Sequence, residues 1–373
     1  MARVMGIVSF RVYPTLMGGQ KGVALFYEHL SRYLPVVLAA SKDNEQAAGL
    51  ELKPILQPNR KIYLNLFKLG RLRRLALDSR SSIILAEHSY TGWLAWLLHK
   101  RTGLPFIIHS HNMEGRRFRK MNRSWWKLYE WYEGWIHRQA HYNFFISRED
   151  MVSAIDAFRL KPAKCAVITY GVSTRVLERN KAILKMRAGL DPGKTLLLFN
   201  GTLDYEPNFE AIVVLIDVLV PALSRLIDNY QIVVTGNRAP GWLQQKMQAC
   251  PHLYYAGYVP DADLYYQASD LFLNPVSNNT GVKTKLIEAI ANNCTAISTQ
   301  SGASGIDAAL CGNKLIRVAD GDWDNFAKEA VAQLKLPVSD TPQSFFEQYQ
   351  WKNIAARAAE IITQVSQHHE PAS

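Results

Sequence analysis

Residues 271–299 read LFLNPVSNNTGVKTKLIEAIANNCTAIST. An apolar run, LFLNPV, meets the polar loop SNNTG. The segment VKTKLIEAIANN follows with apolar residues at helical spacing, and TAIST is apolar again. The order predicts strand, loop, helix, strand, the way two parallel strands are joined by a crossover. The start of the helix is unusual in charge. Lys283 and Lys285 stand there, although a helix N-terminus already carries partial positive charge and disfavours cations. The placement makes sense if an anion arrives as a ligand. Backbone N–H groups at the helix start, with Gly281 beside them, form an anion site, and lysines add point charges suited to phosphate. Glu288, three residues beyond Lys285 on the same helix face, can accept hydrogen bonds from sugar hydroxyls. Together they fit a nucleotide, cations for its diphosphate and a carboxylate for its ribose. The same residues would also make a surface helix with an i,i+3 ion pair.

The alternation extends in both directions. RVMGIVSF, VVLAA, SIILAEH, PFIIHSH, YNFFIS and AVITYG read as short buried strands in the first half. A glycine-bearing loop (PTLMGGQKG), the helix VALFYEHLSRYL, a basic helix YLNLFKLGRLRRLAL and the helical stretch TGWLAWLLHKRTG fall between them. Residues 172–192 are polar and read as a connection. A second series follows: TLLLFNG, QIVVTG, LYYAGYV, LFLNPV, TAIST and LIRVA, with helices between. Apolar runs without polar alternation suit parallel strands covered on both faces. The expected class is α/β, two doubly wound Rossmann-like domains at 1–178 and 190–350, with a last helix at 351–368. In such folds ligands bind outside the carboxyl ends of the strands.

Composition narrows the rest. The chain has 373 residues, 48% hydrophobic and 20% charged, which is globular and rules out a disordered chain. The longest apolar stretch, AIVVLIDVLVPAL, is interrupted by Asp217 and Pro221 and reads as a buried amphipathic helix rather than a span of ~20 residues. MARVMGIVSFRVYP has no signal-peptide pattern. Cys165, Cys250, Cys294 and Cys311 show no metal or redox spacing and read as small buried residues, so a cytoplasmic location is expected. Charge divides unevenly: residues 1–190 carry 31 Lys+Arg against 13 Asp+Glu, the remainder 12 against 19. The halves should therefore meet different partners.

From KTKLIEAIANNCTAIST through QSGASGID, and back through FNGTLDYEPNFEAIVVLIDVLVPAL, VVTGN and AGYVPDADLYYQASDLFLNPV, the second half resembles the donor-binding domain of retaining family 4 (group 1) glycosyltransferases. GGQKGVALFYEHLSRYL and AEHSYTGWLAWLLHKRTGLPFIIHSHNMEG resemble the glycine loop and the histidine-bearing strands of the first domain. The resemblance implies the GT-B arrangement, two domains facing across a cleft with the C-terminal helix crossing back to the first. Glu288 falls on the second carboxylate of the family's Glu-x7-Glu motif, the one on the ribose; Thr280 falls on the first, a departure. Thr202 stands where the family's arginine is common, a second departure, which leaves Lys283 and Lys285 to neutralise the diphosphate. Gly18 and Gly19 match the glycines that let the loop approach the donor. Asn237, Tyr258 and Val259 match positions lining the nucleotide pocket, and Gly281 with Val282 completes the donor loop. His111 aligns with the cleft histidine and is preferred to His109. The catalytic candidates are thus His111, Lys285 and Glu288, with His88 and Glu114 on the acceptor side.

Asp261-Ala-Asp263 has the D-x-D form of a metal-bound nucleotide-sugar site, but a turn running into a helix gives Asp a capping role. Neither metal nor cofactor is expected, the nucleotide-sugar being a substrate. The segment 114–141, read as one helix with four Trp, two Tyr and many Arg and Lys, suits core packing, nucleic-acid stacking or an anionic membrane interface. The membrane is preferred over nucleic acid for the charge, because no nucleic-acid motif is present. The resemblance implies transfer of a sugar from a nucleotide-diphosphate donor to a glycan or lipid-linked acceptor with retention, in polysaccharide biosynthesis at the inner membrane face. A nucleotide-sugar epimerase of the same fold, or a non-catalytic basic lipid- or nucleic-acid-binding module with a degenerate donor site, are the alternatives.

Overall fold

The computed structural model describes residues 2–15, 18–46, 49–173, 177–277 and 281–368, with 59 and 60 by backbone only. The chain divides into two compact units, Met1–Gly171 with Trp351–Ser373, and Val172–Gln350.

In the first unit seven strands form one sheet: β1 Val4–Val8, β2 Val36–Ser41, β3 Glu51–Leu56, β4 Ile83–Glu87, β5 Phe106–Ser110, β6 Tyr142–Phe145 and β7 Cys165–Val167. Their order is β3-β2-β1-β4-β5-β6-β7, and every pairing is parallel. β1, β2, β4 and β5 are buried at every residue, as expected where helices cover both faces. The strand order reverses between β1 and β4, which places the loop after β1 and the turn after β4 at the point where such sheets bind ligands. β3 was not read from the sequence. Its ELKPIL carries Pro54 and only two fully buried positions, and proline in a strand is tolerated at a sheet edge, where this one lies.

The second unit holds β8 Thr195–Asn200, β9 Tyr230–Thr235, β10 Leu253–Gly257, β11 Leu271–Asn274, β12 Thr295–Thr299 and β13 Leu315–Val318. The order β10-β9-β8-β11-β12-β13 is again all parallel and reverses between β8 and β11. The helix of 206–224 is the one among the described residues long and apolar enough to cross a membrane. Its Ala211, Ile212, Leu215, Leu219 and Leu223 instead pack into this unit's core. Pro221 lacks an N–H and would clash with the carbonyl four residues back, and a π turn at Leu215–Leu219 precedes it.

Three local readings are corrected. YLNLFKLGRLRRLAL is not one helix: a 3-10 segment, Asn59–Lys68, leads into the α-helix Leu69–Asp78. The aromatic segment forms two helices, Glu114–Lys120 and Trp126–Gln139. The polar stretch 172–192 contains the helix Lys181–Arg187, tied to the second unit by Lys185 donating to Asp270 at 2.8 Å.

The last helix, Trp351–Gln367, belongs to the first unit. Trp351 is 2% exposed. Its ring lies so close to Gly171 that a Cβ there would come within 2.6 Å, and it meets Tyr170 at 5.4 Å and His29 at 6.0 Å. Truncating a buried tryptophan removes its transfer energy and leaves a cavity. Trp351→Ala should therefore cost about 3–5 kcal/mol in urea unfolding; a loss below about 1 kcal/mol would mean that the helix contributes little to this unit.

Candidate functional site

In the second unit the carboxyl ends of the strands gather the residues expected on the donor side. The loop after β8 carries Gly201 and Thr202, and Asn208 on the following helix braces it: Asn208 Nδ2 donates to Thr202 O at 2.9 Å. The loop after β9 comes so near that a Cβ on Gly236, whose φ is 141°, would sit 1.8 Å from Gly201 O. Only glycine permits that approach. Asn237 follows, its O accepting from Leu203 N–H at 2.9 Å. After β10, Gly257 adopts φ 68°, Tyr258 is exposed and Val259 half-buried.

Beyond β11, Thr280 lies outside the described residues. Gly281 adopts φ 81°, and Val282 packs against Gly305, where a Cβ would come within 2.9 Å. Lys283 is buried at the N-cap of the helix Thr284–Ala291 and donates to Gly281 O at 2.6 Å. Lys285 Nζ donates to Asn208 Oδ1 at 3.0 Å and stands 4.4 Å from the Phe199 ring centre. Among the described residues it forms no ion pair, so the i,i+3 pair with Glu288 does not exist. Burial first, and then the Lys283 charge, push its ammonium down to about 7. Glu288 Oε2 accepts from Tyr266 Oη at 3.5 Å, and Asn200 Nδ2 donates to that hydroxyl at 2.9 Å. Asn237 Oδ1, Asn274 Oδ1 and Ser277 Oγ are buried with no partner among the described residues. A buried acceptor left unmade is costly, and these lie at the same carboxyl edge. Asp261 caps its helix by accepting from Leu264 N–H at 3.3 Å, and Asp263 accepts from Asn292 at 2.9 Å.

In the first unit, Gly18 and Gly19 open the helix Gly18–Leu30. A Cβ on Gly19 would meet nothing within 4 Å, so protein packing alone does not demand glycine there. The histidines of β4 and β5 converge on Glu87, the last residue of β4. His111 Nε2 donates to Glu87 Oε2 at 2.6 Å, and His109 Nδ1 is 3.2 Å from the same oxygen. His109 Nε2 lies 3.0 Å from Ile168 O, so both its nitrogens are engaged and the ring is buried, whereas His111 keeps 14% of its side chain exposed. Burial alone would raise the Glu87 carboxyl, but the His109 charge and hydrogen bonds from both histidines hold it far below the usual carboxylate range. Burial, with the nearby His109 and His88, pushes His111 down to about 4. At neutral pH it is then an uncharged imidazole that gives its Nε2 proton to Glu87 and keeps the Nδ1 lone pair, a tautomer inferred from the partner. Glu87, His109 and His111 have their ligand atoms within 4.8 Å of one another, close enough to share a cation, yet their contacts are already hydrogen bonds.

His88 is strained. With φ 65° and ψ 152° it occupies a region open essentially to glycine, and its N–H donates to His109 O at 2.8 Å. Its ring stacks on His111 at 4.4 Å and Tyr90 at 4.7 Å, with Nδ1 3.6 Å from Glu114 Oε1. Glu114 also meets Arg117 at 3.3 Å. Burial opposes its ionisation, but His88 and then Arg117 hold the carboxyl below its ordinary value. Sequence reasoning missed Glu133. It accepts from Glu114 N–H at 3.0 Å, Gly115 N–H at 2.9 Å and Ser89 Oγ at 2.9 Å, fastening the turn after β4 to the helix that carries Glu114. Burial nonetheless pushes it up to about 7. Its only signal was a carboxylate within an aromatic helical run; that of Glu87 was a charge ending an apolar strand.

The family described as glycosyl transferases group 1 matches residues 194–335, and glycosyltransferase family 4 matches residues 20–176. No curated protein matches the chain in sequence. Among solved structures, sucrose-phosphate synthase from Thermosynechococcus elongatus aligns at TM-score 0.76 and 14% identity over 98% of this chain and 100% of that one. HepE of Anabaena in complex with UDP and glucose aligns at 0.72 and 12% over 97% and 100%. The lipopolysaccharide outer core galactosyltransferase WaaB aligns at 0.68 and 11% over 97% and 99%. At these identities the likeness is one of fold, two parallel-sheet Rossmann-like units in the GT-B class.

The state of His111 has a measurable consequence. Folded, it stays neutral down to about pH 4; unfolded, it takes a proton near its ordinary 6.5. The unfolded chain binds more protons between those values, so stability falls as pH drops from 6.5 toward 4. His137, also buried and pushed down to about 4, acts in the same direction. Urea midpoints at pH 7 and pH 5 should show His111→Gln losing about 1–2 kcal/mol less than the parent. Equal losses would mean that His111 is protonated in the folded chain.

Proposed function

The chain belongs to the group 1, family 4 glycosyltransferases, and from that premise we propose that it moves a sugar from a nucleoside-diphosphate sugar to a glycan or lipid-linked glycan, with retention of anomeric configuration. The observation that carries this reading is Lys285: a largely enclosed ammonium, without an ion pair among the described residues, at the start of a helix on the carboxyl edge of the second sheet. An enclosed cation is costly until it is paired, and a diphosphate supplies the missing charge. Asn208 orients Lys285, and the helix N-terminus adds its N–H groups. Glu288, steadied by Tyr266, takes the ribose hydroxyls. The unsatisfied oxygens of Asn237 and Asn274 offer acceptors to the rest of the nucleotide.

In a retaining transfer the leaving phosphate oxygen takes the acceptor proton, and no protein base is needed. Lys285 and the helix N-terminus hold the charge that develops there. Neutral His111 offers its Nδ1 to a sugar hydroxyl, and Glu87 fixes which nitrogen faces outward. A UDP- and glucose-binding structural neighbour supports a nucleotide donor by fold alone.

The acceptor setting is the inner face of an anionic membrane. Met121, Trp125, Leu128 and Trp131 are 49%, 47%, 68% and 65% exposed, within a segment that also exposes Arg119, Lys120, Arg123 and Lys127. Apolar and aromatic side chains interleaved with cations suit an interfacial helix pair, and a lipopolysaccharide galactosyltransferase shares the fold.

A melting panel with UDP, GDP, ADP and CDP tests the donor site. One nucleotide at ~100 times its Kd should add ~2.7 kcal/mol, a shift of roughly 5–10 °C, abolished in Lys283→Ala/Lys285→Ala. No shift with any nucleotide would sink the reading. Because an anion binds the protonated amine, affinity should hold below about pH 7 and weaken up to about tenfold per unit above it. Lys285→Arg should flatten that slope, since arginine stays charged.

The membrane reading predicts that the chain sediments with vesicles containing phosphatidylglycerol and far less with neutral ones. Trp125→Ser/Leu128→Ser/Trp131→Ser should release it. Retention by the triple variant would assign binding to charge elsewhere.

A further inference from the structure

The second unit has a cavity of about 580 Å³ at the opposite end of its sheet from Thr202, Asn237 and Lys285. Thr195, Leu271 and Thr295, the first residues of β8, β11 and β12, line it. So do three cations, Lys181, Lys185 and Lys194, against one carboxylate, Asp270. That carboxylate is fully used. Lys185 Nζ meets Oδ2 at 2.8 Å, Leu196 N–H donates to the same oxygen at 2.8 Å, and Lys181 Nζ stands 3.4 Å from Oδ1. Lys185 Nζ also donates to Lys194 O at 2.7 Å. The Lys194 ammonium has neither a hydrogen bond nor an ion pair among the described residues, so the lining carries two positive charges in excess.

The remaining lining is different in kind. Leu334, Leu336, Pro337 and Val338 run together along it, and Leu336 and Val338 are 55% and 69% exposed. Adjacent exposed aliphatic side chains beside an uncompensated cation make a surface with an anionic half-site and an apolar one. Among the described residues no aromatic ring lines the cavity, so a nucleobase would find nothing to stack on.

We propose that this cavity is a second ligand site, which takes a phosphomonoester carrying a short aliphatic chain. The phosphate sits at Lys194 beside Lys181, and the chain lies along Leu336 and Val338. The site does not depend on the donor reading, because it uses none of the same residues and lies at the other end of the strands.

Titration calorimetry of the full chain with hexyl phosphate tests it, with inorganic phosphate and UDP as comparisons. Saturable binding is expected. Lys194→Glu should weaken it about tenfold or more, as for loss of one charge-assisted contact. Leu336→Ser should weaken it about threefold or more, and inorganic phosphate should bind less tightly than hexyl phosphate. Lys285→Ala and saturating UDP should leave it unchanged. Both cavity variants alter exposed or half-exposed side chains, and unchanged melting curves would show that they fold. Three results would overturn the proposal: no saturable binding, equal affinity in Lys194→Glu, or displacement by UDP, which would place the ligand in the donor site. Equal affinity for inorganic phosphate would remove the aliphatic half.

Discussion

A strand covered on both faces can present side chains to solvent only where it ends. In each unit every strand runs in the same direction, so all carboxyl ends share one edge. The candidate site residues accordingly stand at strand ends or in the stretches that follow them: Glu87 and His88 at the end of β4, His109 and His111 at the end of β5, Thr202 after β8, Asn237 after β9 and Lys285 after β11. The apolar strand runs and the placement of polar groups are consequences of one packing constraint. The amino ends, facing the other way, are left to a separate cavity with its own charge.

The two units handle buried charge in opposite ways. In the first, Glu87 is wholly enclosed but receives two imidazoles, one of them at 2.6 Å, so its negative charge is matched within the protein. The cost appears in its neighbours: His111 is held neutral, and His88 accepts a backbone conformation meant for glycine. In the second, Lys285 has an amide and a ring face but, among the described residues, no carboxylate. A matched charge holds a geometry, whereas an unmatched one calls for a ligand. This difference fits the proposed roles, a neutral hydroxyl oriented in the first unit and a diphosphate bound in the second.

Much of the fold was legible because buried parallel strands leave a plain mark, short β-branched and aliphatic runs closed by polar residues. All six strands of the second sheet and six of the seven in the first could be read that way. β3 escaped because an edge strand has only part of its surface to bury and tolerates Pro54. The breaks in the basic and aromatic helices escaped because amphipathic spacing continues across a change from 3-10 to α, or across a turn, without any apolar residue moving out of step.

The candidate site was legible as positions, through Lys283, Lys285, Glu288 and the histidine-bearing strand, since residue type and spacing carry chemistry directly. Their roles were not. Whether Lys285 pairs with Glu288 or with Asn208, and whether His109 or His111 keeps an exposed edge, depends on groups dozens of residues away. Glu133 enters only because a helix from 126–139 is laid across the turn after β4. The sequence by itself determined the class of fold, which polar residues stand at the strand ends and the kind of charge at each. Only the tertiary structure decided which charges are satisfied, because pairing depends on distance across the fold and distance along the chain does not encode it.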